Sequence, residues 1–501
     1  MMITIVPSST HYIRTAGESM RGDGKGGLYI DEPNGTANTV DSLDGRTWYK
    51  VVDVQSERVL HTPKISRMIP RSLKIIADGL PLSPLDFGAR GMDALRDADG
   101  IQSALQFLAD FVGDSDATLD CGGKRFLLNR AIAPTSASGF YRKRITNGFF
   151  RVASSFPADT YMFDLSGLGN TGNQISRIRI DNNFFVGAAP GGAVPRAYGW
   201  IKLNYTLGND IHDNVMEFLT GRGIWDENTR AGAGNYIRDN RMFGSDTPGN
   251  YITGIRVAGY DNKIYNNMLA EFSEHIRCEK GANVISGNHV YNFRRGNTEG
   301  PGISTGREEN SNETLIQGNY IDTVRIDVYN PENTTITGNK FLIPNISYWA
   351  ERPETAFIEL VSTQTTGTHY VDGLQIIGNQ FKSSYGVAEA IRARTAGAAL
   401  IIRDDVFIKD NIFMRVNKRA AQASITKEGL AAVTSTTIDL SSFKIPSVSN
   451  DHLNMVACAA QGTGGSVTNL TRSNDVYTVN FSSPFTGKVT LSATMCANGA
   501  W

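Results

Sequence analysis

The chain has 501 residues, of which 20% are charged, and its formal net charge is −1. A near-neutral chain of this length has room for an extended core and accessory domains, but it lacks the basic excess of a general nucleic-acid or membrane-surface binder. No apolar run approaches the roughly 18 residues of a membrane-spanning helix, and the start of the chain lacks a secretory signal pattern. The four cysteines are far apart and no phosphate-binding loop or nucleophile elbow occurs, so we expect no metal and no cofactor.

The first 80 residues are rich in glycine and polar residues and contain strand-like runs at 27–30 and 47–52. Such runs predict a small β-rich module. Residues 22–31, Gly-Asp-Gly-Lys-Gly-Gly-Leu-Tyr-Ile-Asp, and residues 44–48, Asp-Gly-Arg-Thr-Trp, resemble a short module near the N-terminus of many phage tail spikes. The resemblance implies that residues 1–80 attach the protein to other tail or baseplate proteins.

A lead-in segment, residues 81–117, contains one predicted amphipathic helix with Asp99 as a possible N-cap. We expect this helix to cover the open end of the first coil of a solenoid. The phrase from Asp86 to Gly91, Asp-Phe-Gly-Ala-Arg-Gly, resembles the start of pectate-lyase-like β-helix proteins, with Met92 where those proteins usually have aspartate. The apolar residues at helical spacing are Ile101, Ala104, Leu105, Leu108 and Val112.

One phrase, Ile-x-x-Asn-x-apolar, recurs nine times between residues 175 and 413, with 20 to 40 residues between successive asparagines. A variable spacing with a floor near twenty residues is typical of a solenoid whose coils carry loops. The residue before each asparagine is Asn, Asp or Gly, the types that tolerate a left-handed backbone, so each phrase predicts strand, tight turn, strand. Stacked coils would place the asparagines about 4.8 Å apart, close enough for a ladder of amide hydrogen bonds. These residues are Asn183, Asn214, Asn240, Asn267, Asn288, Asn319, Asn339, Asn379 and Asn411.

The asparagine phrase ends at Phe413, and strand signals follow at 435–440, 476–481 and 488–493. We therefore predict an all-β protein: a parallel β-helix at residues 118–420, preceded by the N-terminal module and capping helix, and a β-sandwich-like domain at 421–501. The resemblance to tail spikes and pectate-lyase-like proteins implies a right-handed helix. It also implies that the C-terminal domain joins three chains into a homotrimer.

A second strand follows each asparagine turn, and its central isoleucine identifies the residues that face outward, because side chains alternate along a strand. Aromatic rings pack on sugar rings, arginines bind carboxylates and carboxylates cleave glycosidic bonds, so these columns predict a polysaccharide-binding face. The alternative is an ordinary solvated face with cross-strand ion pairs. The first outward column is Lys202, Trp225, Arg256, Arg277, Ser304, Asp327, Glu359 and Arg392, the next includes Glu227, Glu279, Tyr329 and Arg394, and a third holds Trp200, His275 and Arg325.

Glu227 and Glu279 are the preferred catalytic pair, because they lie in one column two coils apart, about 9.6 Å, near the spacing of an inverting glycosidase. Asp327 and Glu359 lie one coil apart, which is the retaining spacing, and Asp226 is a further candidate although it falls in the inward column. The expected substrate-binding residues are Trp200, Lys202, Trp225, Arg256, His275, Arg277, Tyr329 and Glu359.

The resemblance implies a homotrimeric protein of the virion tail that recognises and depolymerises a bacterial capsular or O-antigen polysaccharide. Endo-glycosidic hydrolysis is the preferred reaction. A lyase using Tyr329 or His275 in β-elimination, and a receptor-binding protein without catalysis, are the alternatives. The insertion at residues 294–312, with Glu299, Glu308 and Glu309, is expected to overhang the outward columns.

Overall fold

The computed structural model describes the backbone of four strands within the first 51 residues and most of residues 81–494. The gaps in this second part are residues 112–115, 137–138, 171–172, 193, 228–233, 246–250, 293–299, 309, 344–355, 385–388, 398, 403–405, 417–421, 442–454 and 474–475.

The four N-terminal strands form an antiparallel sheet in which the second strand lies between the first and the fourth. Two of them coincide with the strand-like runs of the sequence. The glycine-rich part of the tail-spike-like phrase, residues 22–27, lies outside the described residues. The strands are Tyr12–Arg14, Leu28–Asp31, Thr39–Asp41 and Thr47–Val51.

The lead-in segment contains a 3-10 helix at Pro84–Phe87 and the predicted α-helix, which runs from Ala94 to Phe111. The expectation that Asp99 is its N-cap is wrong, because the helix begins five residues earlier and Asp99 instead pairs with Arg130 at 2.8 Å. The turn before the helix is fixed by the buried carboxylate of Asp97. Its oxygens accept hydrogen bonds from the backbone N–H groups of Arg90, Gly91, Asp93 and Leu127.

The apolar face of this helix covers the first coil, as predicted. Ile101 and Leu105 are fully buried in the same core cluster as Leu119 and Phe126 of that coil. Val112 lies outside the described residues. None of the helices in the described part of the chain has the length and apolarity needed to span a membrane.

The solenoid is a right-handed parallel β-helix built from three long sheets; each coil contributes one strand to sheets 1 and 2, and all coils except the first and the last also contribute one to sheet 3. Sheet 1 precedes the asparagine turn and has 11 strands. They are Ala117–Asp120, Lys143–Thr146, Arg179–Asp181, Asp210–His212, Tyr236–Arg238, Lys263–Tyr265, Val284–Ser286, Leu315–Gln317, Thr335–Thr337, Gln375–Ile377 and Phe407–Lys409.

Sheet 2 follows the asparagine turn and also has 11 strands, whereas sheet 3 has nine. Sheet 2 comprises Arg125–Leu128, Phe149–Val152, Phe184–Val186, Val215–Glu217, Arg241–Phe243, Met268–Ala270, His289–Tyr291, Tyr320–Asp322, Lys340–Ile343, Gln380–Ser383 and Ile412–Met414. Sheet 3 comprises Tyr161–Asp164, Gly199–Leu203, Arg222–Asp226, Thr253–Val257, Glu274–Cys278, Ile303–Thr305, Ile326–Tyr329, Ala356–Ser362 and Glu389–Thr395. Short accessory strands are Phe140–Tyr141, Ile175–Ser176, Thr206–Leu207, Thr368–Val371 and Ala399–Ile402, and a 3-10 turn spans Ser166–Leu168.

The predicted asparagine ladder is present and buried at the corner between sheets 1 and 2. Each asparagine side chain donates to the side-chain oxygen of the next asparagine along the axis, for example from Asn240 to Asn267 at 3.0 Å and from Asn267 to Asn288 at 3.0 Å. The same oxygen also accepts the backbone N–H of the asparagine before it. The residues before the asparagines have positive φ in all nine turns, as their types predicted: Asn182, Asp213, Asp239, Asn266, Gly287, Gly318, Gly338, Gly378 and Asp410.

A second asparagine ladder, which the sequence reading missed, precedes sheet 1. Asn235 donates to Asn262 at 3.2 Å, and Asn262 donates to Asn283 at 3.0 Å. The signal was an asparagine two residues before the isoleucine in the coils of Asn209, Asn235, Asn262 and Asn283. Both ladders satisfy backbone N–H groups at the corners, where strand pairing is interrupted.

The C-terminal residues form one four-stranded antiparallel sheet with its own apolar cluster. The last strand pairs with all three others. Register shifts interrupt the first strand between Lys427 and Ser435, and apolar residues from both sides of this interruption share one cluster. The strands are Gln422–Asp439, Met455–Gly464, Val467–Ser473 and Val476–Thr494.

Candidate functional site

The outer face of sheet 3 carries the first predicted column. Strand register places Lys202 beside Trp225, Trp225 beside Arg256, and Arg256 beside Arg277. The same register continues through Ser304, Asp327, Glu359 and Arg392. The isoleucine column is fully buried, so this part of the alternation is confirmed.

The third predicted column is wrong for Trp200 and His275, because both side chains lie in the interior. Trp200 is 0% exposed, lies 6.3 Å from the ring of Phe272, and donates its indole N–H to the Glu217 carbonyl at 3.2 Å. His275 is also 0% exposed, and burial lowers its pKa to about 4. Neither residue can contact a sugar polymer on the outer face.

The alternation fails at the start of some sheet 3 strands, where the residue before the central isoleucine also lies in the interior. Pairs of consecutive residues, such as Phe357 with Ile358 and Ala390 with Ile391, both lie in the core. The residue two positions before the isoleucine then reaches the outer face. Arg222 and Glu274 occupy this position, and sequence reasoning missed both, although the consecutive apolar pairs were a visible signal.

Asp226 points inward, as its column predicted, and does not turn outward. Its side chain is buried and accepts hydrogen bonds from the Thr206 hydroxyl at 2.7 Å and the Asn235 amide at 3.0 Å. These donors compensate for the loss of hydration of the carboxylate. Asp226 therefore belongs to the polar packing of the corner, which corrects its assignment as a catalytic candidate.

Trp225 was expected to be exposed, yet it is only 6% exposed. The Arg222 guanidinium lies 3.7 Å from the ring centroid, and the Arg256 guanidinium lies 4.5 Å from it. Cation–π contacts of this kind hold the arginines against the ring. The tryptophan is thus a support for two guanidinium groups and does not present a free aromatic face.

Glu279 is 0% exposed, because two arginines cover it. Arg256 and Arg277 each donate an Nε–H to the same Glu279 oxygen at 2.6 Å. Arg256 also donates to the Asp226 carbonyl at 3.1 Å and pairs with Glu308 at 3.3 Å. The Glu279 carboxylate therefore orients Arg256 and Arg277, and solvent does not reach it in this structure.

Glu274 is a second covered carboxyl group at the start of the same strand. It accepts hydrogen bonds from the Ser304 hydroxyl at 2.5 Å, from Arg307 at 3.0 Å and from the Tyr251 hydroxyl at 3.1 Å. Burial raises its pKa, and Arg307, Ser304 and Arg277 oppose that shift. Arg277 lies 3.8 Å from Glu274, so one guanidinium connects Glu274 with Glu279.

Asp327 and Glu359 are adjacent, as predicted, but both are almost fully covered by arginines. Arg325 donates to Asp327 at 2.7 Å, Arg394 donates to Glu359 at 2.9 Å, and Arg392 also pairs with Glu359. Burial raises the pKa of Asp327. Burial also acts to raise the pKa of Glu359, but the three surrounding arginines hold it below its ordinary value.

Tyr329 ends the Asp327 strand and is also buried, with Arg307 5.7 Å from its ring centroid. A covered hydroxyl is poorly placed to take a proton from a sugar. The same holds for His275, so neither residue of the expected β-elimination pair is accessible here.

Two carboxylates in the described part of this face have substantial side-chain exposure, Glu227 with 36% and Glu308 with 48%. Glu227 follows Asp226 and pairs with Lys202 at 3.2 Å. Glu308 belongs to the predicted insertion, and its backbone N–H donates to the Glu279 carbonyl at 3.1 Å. Arg256 donates to the backbone carbonyl of Asp226, the residue before Glu227, and to the carboxylate of Glu308. Residues 294–299 and Glu309 of the insertion lie outside the described residues.

Comparisons with known proteins agree with this architecture. No protein-family model matches the chain. The polygalacturonase QRT3 of Arabidopsis thaliana is 26% identical over 334 residues, which cover 63% of this chain and 62% of the relative. The chain thus spans about three-fifths of that relative's length.

Among solved structures, ORF18 of Geobacillus virus E2 aligns with a TM-score of 0.50 and 11% identity over 96% of this chain and 85% of that protein. A mutant tailspike protein of E. coli bacteriophage HK620, in complex with a pentasaccharide, aligns with a TM-score of 0.44 and 11% identity over 84% and 94% of the two chains. The Dettilon tailspike protein aligns with a TM-score of 0.39 and 12% identity over 82% and 94%. The chain is therefore a parallel β-helix protein with phage tailspike proteins among its structural neighbours and a polygalacturonase as a sequence relative.

Proposed function

We propose that this chain is the subunit of a phage tailspike that binds a bacterial capsular or O-antigen polysaccharide and hydrolyses it at internal glycosidic bonds. One observation carries the proposal. Two partly exposed carboxylates lie at the outer face of sheet 3, Glu227 paired with Lys202 and Glu308 paired with Arg256. The sequence similarity to a polygalacturonase supports glycoside hydrolysis as the reaction class.

Glycoside hydrolysis needs one carboxyl group to protonate the leaving oxygen and another to activate water or attack the sugar. Glu227 and Glu308 are the groups that a polymer on this face can contact, and they replace the pair Glu227 and Glu279 preferred from the sequence. Glu279 stays in the site as the group that orients Arg256. Arg256, Arg277 and Lys202 line the same face and are proposed to bind the polymer.

The test is size-exclusion chromatography of capsular and O-antigen polysaccharides from a bacterial panel after incubation with the protein. Glu227→Gln and Glu308→Gln should each lower the cleavage rate by about 10²- to 10⁴-fold while binding persists. Glu428→Gln, at an exposed position of the C-terminal sheet, is the matched control and should cleave like the wild type. If both site variants cleave the polysaccharide at the wild-type rate, Glu227 and Glu308 are not the catalytic pair.

A second candidate function is glycan recognition without cleavage. It is favoured by the covered state of Glu274, Glu279, Asp327 and Glu359, which resembles a structural ion-pair network. Binding without shortening of any polysaccharide in the panel would establish it. Shortening accompanied by the ultraviolet absorbance of unsaturated uronate would instead establish a lyase, and would require a base other than the buried His275.

Assembly and location belong to the same proposal. A homotrimer attached to the virion tail through residues 1–80 would present three such faces to the cell surface. Light scattering on the 54.6 kDa chain should then give a trimeric mass. Deletion of residues 1–80 should leave cleavage intact and prevent incorporation of the protein into virions.

A further inference from the structure

Nearly every arginine on the outer face of sheet 3 has a carboxylate partner in the described part of the chain. The pairs are matched within a coil or between adjacent coils, so the face has little free charge. These pairs are Arg256 and Arg277 with Glu279, Arg307 with Glu274, Arg325 with Asp327, and Arg392 and Arg394 with Glu359.

Arg222 differs from these arginines. It forms no ion pair with any carboxylate in the ranges that the structure describes, although it begins a strand in the same sheet. Its guanidinium lies 3.7 Å from the ring centroid of Trp225 and 5.7 Å from that of Tyr198. The rings of Tyr161 and Tyr198 contact each other edge to face at 5.5 Å. Two neutral aromatic rings, those of Trp225 and Tyr198, therefore hold this cation, and Tyr161 packs against the second.

This arrangement leaves the charge of Arg222 unneutralised. Aromatic faces attract a guanidinium, but they do not use its fork of N–H donors as a carboxylate does. The residue is also partly exposed, unlike the buried Trp225 beneath its guanidinium. A planar guanidinium fixed in this way is preorganised to receive a carboxylate in two parallel hydrogen bonds.

The position of Arg222 relates it to the proposed catalytic groups. The same strand ends at Asp226, directly before Glu227, and Trp225 supports Arg222 and Arg256 together. Arg222 and Glu227 therefore lie at opposite ends of one strand, about 16 Å apart along the backbone. A polymer that follows this strand would contact both side chains.

We infer that Arg222 binds a carboxylate of the polysaccharide, and that the substrate is an acidic glycan that extends along this strand from Arg222 toward Glu227. This inference rests on the proposed function, because it assigns a substrate class to the same face. Arg222 carries a positive charge without a carboxylate partner in the described part of the chain, whereas the neighbouring arginines of this face have such partners.

The experiment uses the polysaccharide that the panel identifies as bound or cleaved, and the same polymer after chemical reduction of its carboxyl groups to alcohols. Initial cleavage rates and dissociation constants are measured for the wild type, Arg222→Gln and Arg222→Lys. Arg179→Gln, an exposed arginine on sheet 1, is the matched control. Thermal unfolding of each variant verifies that the β-helix is intact.

We expect Arg222→Gln to raise KM or Kd for the native polymer by roughly 10- to 100-fold, because a charged hydrogen-bond partner is lost. Arg222→Lys should give a smaller loss, since it keeps the charge without the fork. Carboxyl reduction should weaken binding to the wild type by a similar factor and weaken binding to Arg222→Gln no further, as expected for two changes that remove one contact.

Two results would overturn the inference while leaving the proposed function intact: wild-type cleavage of the carboxyl-reduced polymer at full rate, or equal KM values for Arg222→Gln and the wild type. Equal losses in Arg222→Gln and Arg179→Gln would also overturn it, because they would reflect general charge only. If the wild type neither binds nor cleaves any polymer of the panel, the proposed function fails and the inference fails with it.

Discussion

The asparagine ladder and the outer face of sheet 3 are both columns of polar side chains along one axis, but they satisfy those side chains differently. In the ladder, each amide repeats the same neutral contacts with the coils before and after it. On the outer face, the partners change from coil to coil, and a carboxylate such as Glu279 or Glu359 is shared by two or more arginines. The amide hydrogen bonds of the ladder form wherever the same residue recurs in stacked coils. The ion pairs of the outer face form only where neighbouring coils supply opposite charges.

This difference distinguishes the asparagine ladder, which stabilises the fold, from the outer face of sheet 3, which is proposed to bind the polymer. An asparagine is both donor and acceptor, so identical residues can satisfy one another without end. Arginine only donates and an ionised carboxylate only accepts, so an outward column of charges balances only where the sequence supplies both kinds. Arg222 is the place on this face where the balance fails among the described residues.

The largest effect is expected from breaking the ladder at its centre. Asn267→Ala removes five side-chain hydrogen bonds and leaves buried partners on both neighbouring coils without contacts. We expect a loss of about 4 kcal/mol in unfolding free energy, because each unsatisfied buried group carries its own desolvation cost. Chemical denaturation measures this loss, with Asn469→Ala on the C-terminal sheet as the exposed control. A loss no larger than that of the control would mean that the ladder is not a main source of stability.

A smaller effect is expected from Glu359→Gln on the outer face. Its arginine partners keep side-chain exposures of 18%, 23% and 46%, so water can solvate them when the charge is removed. We expect a loss of about 1–2 kcal/mol, measured by the same denaturation. This loss should shrink in high salt, whereas the loss caused by Asn267→Ala should not. A larger loss for Glu359→Gln than for Asn267→Ala would reverse the comparison between the two columns.

The smallest effect is expected at Asp322, a carboxylate of sheet 2. Burial raises its pKa to about 6, and one of its oxygens has no hydrogen-bond partner among the described residues. Because its folded pKa lies above the ordinary value of 3.8, the folded protein binds this proton more tightly, and ionisation at higher pH destabilises the fold. Asp322→Asn should therefore raise Tm by about 1–2 °C near pH 7.5 and change it little near pH 3.5.

The comparison of melting curves at the two pH values tests the sign of this effect. A gain in Tm that is the same at both pH values would show that the asparagine stabilises the sheet for a reason other than lost ionisation. A decrease in Tm near neutral pH would show that ionised Asp322 has a stabilising partner.

The sequence by itself determined the β-helix, because its information is local and repeated. The left-handed residue before each asparagine, the apolar isoleucine and the spacing of the phrase specify a coil regardless of the rest of the chain. The first outward column followed from the same repeat, since side chains alternate within a strand. The helical spacing of apolar residues predicted the capping helix. It did not predict the first residue of that helix, because three aspartates, Asp93, Asp97 and Asp99, lie near its N-terminus and the sequence does not show which of them caps it.

Only the tertiary structure decided which outward residues can meet a ligand. Trp200 and His275 lie inside together with the isoleucines that follow them, and alternation within one strand does not predict two consecutive inward residues. Glu279 and Asp327 are each covered by an arginine two residues away in the same coil and by a second arginine, Arg256 or Arg394, that is distant in sequence and comes from another coil. Arg222 has no matching carboxylate for the same reason: pairing of charges is a property of neighbouring coils, and the loops between them set which residues become neighbours.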